Sequence, residues 1–139
     1  LNALPQSATV SVNCRIFPGV TVESVRDRLM EVVADPQAKV TVLDDPTASD
    51  ASPLRADIVA AVTKAVHARA PGLPIVPSMS AGATDSLHFR AAGIPSYGVS
   101  ALFMRSEDSF AHGLNERVPL AAIDGALLQW HVLLTELAK

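Results

Sequence analysis

Residues 106–118, from Ser106 to Val118, bring together one histidine, three carboxylates, a glycine and an arginine just ahead of an apolar terminal stretch. Neutral imidazole is a strong ligand for zinc and similar metals. Gly113, beside His112, gives the backbone the freedom to aim a side chain inward. The same composition also describes a polar loop whose histidine is solvated or caps a helix. No second ligand stands at helical or hairpin spacing from His112, so the segment alone leaves both readings open. Glu107, Asp108 and Glu116 read as loop-ordering or solvated groups rather than ligands.

Elements on either side must hold such a loop in place. Ala8 to Phe17 alternates cleanly, with Ala8, Val10, Val12, Cys14 and Ile16 on one face. That period predicts a strand with one side buried, and it turns Arg15 onto the polar side. On this pattern alone Arg15 is a solvated surface residue. Pro18-Gly19 ends the strand in a turn. Thr21 is placed to cap a following helix, with Glu23 in its first turn and Val22, Val25, Leu29, Val32 and Val33 as its apolar stripe. Lys39 to Leu43 reads as a short strand, and residues 44–53 as a turn-rich acidic connection.

After that connection a helix is expected from about Pro53, with Leu54, Ile58, Val62, Ala65 and Val66 buried and His67 near its end. Pro74 to Pro77 and Ile94 to Val99 read as short strands. Ser86 to Ala92 reads as a short helix capped by Thr84 or Asp85 and stopped by Gly93. The last helix, about Pro119 to Ala138, carries Ile123, Leu127, Trp130, Leu134 and Leu137 on one side, with His131 beside them. Alternating helices and strands predict an α/β layered domain with a parallel or mixed sheet, and both functional candidates fall in its loops.

The bulk numbers agree with an ordered globular chain: 139 residues, 18% charged, with a formal net charge of -3. Such a charge gives no basic face, which argues against nucleic acid as a partner. No apolar run approaches a bilayer-spanning length, so the chain is expected to be soluble, without a membrane partner. Cys14 has no second cysteine to pair with and reads as a small hydrophobe. The chain opens on Leu1 and reads as part of a longer polypeptide, which leaves its compartment open.

Four pieces, in this order, resemble one family: Asn2 to Pro5, Val12 to Gly19, Gly82 to Ser86 and His112 to Val118. Together they look like the C-terminal part of an M20-family zinc metallopeptidase, nearest to the carboxypeptidase S branch. The resemblance implies a fragment of a two-domain protein. Residues 1–46 would be a partial α+β lid or dimerisation domain (strand, helix, strand), and 47–139 the helix and strand layers completing an α/β catalytic domain. It implies two zinc ions in the complete protein, with His112 as the one ligand found here and no catalytic base in this stretch.

The resemblance also places Asn2 and Arg15 on the substrate side of the lid, and Gly82 beside bound substrate, where a side chain would obstruct approach. The implied activity is that of a peptidase or amidohydrolase acting through a dinuclear zinc-activated water. Its substrate would be a peptide or N-acyl amino acid whose scissile amide adjoins a carboxylate-bearing residue. The implied partners are the rest of the polypeptide and, through the lid, a second copy of the protein. A guanidinium suits a carboxylate through paired hydrogen bonds, which is consistent with the polar face assigned to Arg15. The competing reading is a non-catalytic small-molecule-binding or dimer-forming α/β module.

Overall fold

In the computed structural model, which describes residues 3–109 and 111–139, the chain forms α1 (Val22–Val33), α2 (Ala56–Arg69), α3 (Ser86–Ala91) and α4 (Ala121–Leu137), with a 3-10 turn at Ser106–Asp108. It divides into two compact units, Leu1–Ala51 with Ser80–Ile94, and Ser52–Met79 with Pro95–Lys139.

No strand forms among the described residues, which overturns the α/β expectation, both for the strand-helix-strand lid and for the alternating layers after it. Residues 8–17, 39–43 and 94–99 follow irregular paths, and Val10 and Val12 are 83% and 64% exposed. Alternation says which side of a strand could be buried. A strand exists only where a neighbouring strand takes up its N–H and C=O groups in a continuous ladder, and no such ladder forms among the described residues.

In the first unit, Thr21 caps α1 as its position predicts. Its Oγ1 accepts from the Ser24 N–H at 3.1 Å, while the Ser24 hydroxyl donates to the Thr21 carbonyl at 2.8 Å. Val22, Val25 and Leu29 are half-buried, but Val32 and Val33 are exposed, and no residue of α1 is fully buried. The helix closes on Ala34, whose φ of 49° lies in the left-handed region and whose N–H donates to the Met30 carbonyl at 3.1 Å. That conformation costs a non-glycine residue about 1–2 kcal/mol, which glycine avoids. Replacing Ala34 with glycine should therefore raise stability by about 1 kcal/mol, read as a higher midpoint in denaturant unfolding. An unchanged or lower midpoint would count against the left-handed cap.

The short helix α3 ends as Gly93 predicts. The Gly93 N–H donates to the Arg90 carbonyl and the Ile94 N–H to the Phe89 carbonyl, each at 2.9 Å, with Gly93 at φ 79°. Its start differs from expectation, since neither Thr84 nor Asp85 caps it through a side chain. Asp85 is itself helical (φ -61°, ψ -17°), so it lacks the extended backbone from which a capping carboxylate reaches back.

The second unit is built on α2 against α4. Helix α2 begins at Ala56 rather than near Pro53 because the preceding residues are engaged elsewhere. The Ser52 hydroxyl donates to the Ser96 carbonyl and accepts from its N–H, both at 2.9 Å, and the Tyr97 hydroxyl donates to the Pro53 carbonyl at 2.8 Å. Arg55 grips Asp57 through two hydrogen bonds, which lower the Asp57 carboxyl and raise the Arg55 guanidinium from their ordinary values.

Ala61, Ala65 and Val66 of α2 and Ala122, Ala126, Gln129 and Leu133 of α4 are buried. The face of α4 that packs is thus one position away from the expected stripe. Leu127, Leu134 and Trp130 stay 64%, 58% and 41% exposed. Alanines at i, i+4 on both helices permit a close approach that bulkier leucines would prevent, so the small face turns inward. Across the pair, Lys64 Nζ meets Glu136 Oε1 at 2.6 Å. Hydrogen bonds from Lys139 and then Lys64 hold the Glu136 carboxyl below its ordinary range.

Candidate functional site

The turn that carries His112 lies in the second unit, between the 3-10 turn and α4. Its unusual backbone falls on the histidine itself: His112 has φ 62°, whereas Gly113 is not in the left-handed region. Non-glycine residues with positive φ are uncommon, although histidine is among the types that tolerate it, and such outliers gather at functional sites. The imidazole is exposed and makes no hydrogen bond or ion pair with any described residue.

Two of the three carboxylates around it pair with nearby arginines. Asp108 Oδ1 lies 3.3 Å from Arg117 Nη2, and Glu107 lies 3.9 Å from Arg105. Among the described residues no group of three or more histidine, cysteine, aspartate or glutamate side chains could hold a metal ion. The donor set of this chain therefore does not by itself fit a zinc site, and no chemical step is assigned through one.

Arg15 and Gly82 lie in the first unit and His112 in the second. Asn2 lies outside the described residues. Arg15 is exposed and has no hydrogen-bond or ion-pair partner among the described residues, so its guanidinium is a free planar donor. At Gly82 the backbone N–H donates to Ser80 Oγ at 3.1 Å, and an added Cβ would meet only that hydroxyl, at 3.3 Å. Its φ is outside the left-handed region, so backbone conformation does not require glycine there.

Three residues outside the expected set lie where residues 100–103, the stretch before the His112 loop, meet the helices. Gln129, 1% exposed, donates from Nε2 to the Ser100 carbonyl at 3.0 Å, while its Oε1 has no partner among the described residues. Arg69 donates from Nη1 to the Ala101 carbonyl and lies over the Phe103 ring, 4.0 Å from its centroid. Gly125 of α4 faces the same guanidinium. One signal in the sequence could have found Gln129, a polar residue flanked by Leu127, Leu128 and Trp130 in the last helix; nothing local marked Arg69.

Comparison with known proteins adds one relation. The chain is 31% identical over 137 residues to N-fatty-acyl-amino acid synthase/hydrolase PM20D1 of Xenopus tropicalis, covering 97% of this chain and 27% of that protein. That similarity supports the M20 family. It gives no support to the carboxypeptidase S branch, which the resemblance of the motifs had favoured. The chain spans about a quarter of the length of this curated relative. No family model matches the chain, and no solved structure does.

Proposed function

We propose that this chain is a segment of an M20-type amidohydrolase that cleaves an amide next to a carboxylate-bearing group, with N-acyl amino acids as the substrate class. The observation that carries this reading is the similarity along nearly the whole chain to a protein described as an N-fatty-acyl-amino acid synthase/hydrolase. The free guanidinium of Arg15 supports it, because a planar fork of donors pairs with a substrate carboxylate through two hydrogen bonds. Asn2 and Arg15 are assigned to the substrate side of the lid, and Gly82 to a place beside bound substrate. Residues 1–46 are assigned to the lid and 47–139 to the catalytic part.

In the complete protein, zinc is held by a set to which this chain contributes His112, the remaining donors lying outside it. Metal analysis and N-acyl amino acid hydrolysis on the full-length protein test the reading. The expected result is about two zinc equivalents and turnover in the wild type, with both reduced in His112→Ala while the fold is retained. A full-length protein with no bound metal and no turnover would favour the non-catalytic module. Unchanged metal content and rate in His112→Ala would make His112 a loop residue and nothing more.

A further inference from the structure

We propose that Arg69 is a positioning residue for the loop that carries His112, and that Gly125 is the opening that admits its guanidinium; this rests on the assignment of His112 to the site. Arg69 is the last residue of α2, and its side chain makes three contacts beyond that helix. It donates to the Ala101 carbonyl, its Cζ stands 4.0 Å from the centre of the Phe103 ring, and it lies against α4. A Cβ built at Gly125 would come 2.3 Å from Nε, 2.6 Å from Cζ and 2.8 Å from Nη2 of Arg69. The guanidinium therefore fills space that only glycine leaves free. Glycine inside a helix is disfavoured against alanine, and accommodation of Arg69 gives Gly125 its reason.

About one turn along α4, Gln129 takes the neighbouring carbonyl of Ser100 at 3.0 Å. Two consecutive carbonyls are thus held, one from each helix, just before the chain runs out to the 3-10 turn and His112. Farther out, Arg117 pairs with Asp108 at 3.3 Å, a contact between two residues of the loop itself. The reference point for the loop is the clamp at 100–103. Arg69 acts through backbone carbonyls and an aromatic face, not on substrate.

The test is made in the full-length protein with Gly125→Ala, Arg69→Ala, the double variant and Arg69→Lys. Readouts are the thermal midpoint, hydrogen exchange across residues 104–118, and kcat and KM for an N-acyl amino acid. The atoms that a Cβ at Gly125 would displace belong to the end of a flexible side chain, so Gly125→Ala evicts the guanidinium while the helices stay paired. Its thermal midpoint should be unchanged or higher, loop exchange about tenfold faster, and kcat about tenfold lower with KM within about twofold.

The double variant should be no worse than Arg69→Ala, since both changes remove the same interaction. Arg69→Lys should behave like Arg69→Ala, because an ammonium cannot lie flat on the ring while donating at its edge. Additive losses, or unchanged loop protection in Gly125→Ala, overturn the clamp whatever the activity. Lost protection with unchanged kcat overturns the positioning role. If His112→Ala is then also fully active, the assignment of His112 to the site has failed instead.

Discussion

Gln129→Glu should destabilise the protein by about 3–5 kcal/mol at neutral pH, a large share of the about 5–15 kcal/mol that holds a domain folded. The residue is 1% exposed, and its only side-chain hydrogen bond among the described residues is donated from Nε2 to the Ser100 carbonyl. Glutamate replaces that donor with a second acceptor facing the carbonyl, and its charge would be buried beside an Oε1 that already lacks a partner. Burial and the facing carbonyl both disfavour the ionised form, so the new carboxyl's folded-state pKa is raised above its unfolded value of about 4.3. With a raised pKa the folded state holds its proton longer. The deficit is therefore smallest below about pH 4.3 and grows as pH rises towards the folded-state pKa. Denaturant unfolding of wild type and variant at about pH 4 and pH 7 checks this. Gln129→Met, which removes the unpaired Oε1 along with the bond, should cost only about 1 kcal/mol. A glutamate variant as mild as the methionine one, or a deficit independent of pH, would mean that the site is open to water.

Arg15→Ala in the full-length protein should lower catalytic efficiency on an N-acyl amino acid by roughly ten- to hundredfold, the size of a lost charge-assisted pair at about 1.5–3 kcal/mol. Arg15 is exposed and free of protein partners among the described residues, so its removal has little packing to disturb. On the role proposed for Arg15, in which the side chain addresses substrate and not metal, zinc content should stay at the wild-type level. Lysine keeps the charge but loses the fork, so Arg15→Lys should fall between alanine and wild type. The decisive comparison is an acidic substrate against the same compound amidated at its carboxylate. A penalty confined to the acidic form supports the clamp. An equal penalty on both shows that Arg15 does not read a carboxylate, and no penalty on either makes it an ordinary surface residue.

The helices, the Thr21 cap and the Gly93 stop were legible because their signals are local. Thr21 with its first-turn Glu23, and Gly93 followed by Pro95, act through bonds within a few residues. The strands were misread because their signal is only half local: the alternation from Ala8 to Phe17 names a face but no neighbour to pair with. The inward face of α4 was misjudged for a related reason. Periodicity finds an apolar stripe, but the choice between the leucine side and the alanine side is made by Ala61 and Ala65 on the opposing helix.

At the site, the His112 turn could be picked out by composition, but the left-handed backbone on the histidine itself could not. Arg69 and Gly125 are 56 positions apart in sequence (125 − 69), and only the packing of α2 on α4 makes them neighbours. No window of the sequence would have joined them.

The orientation of α4 also fixes what light the protein emits. Trp130, the one tryptophan, lies on the outward side of α4 with Leu127 and Leu134, 41% exposed, while the opposite side is sealed by Ala126, Gln129 and Leu133. Its fluorescence is consequently insensitive to substitutions that merely repack the inner face. It responds instead to whatever covers the outer one, with long-wavelength emission and ready quenching by iodide when that side is wet, and a blue shift with protection when it is not. The protein thus carries an intrinsic optical probe of its own outer surface, which needs no label.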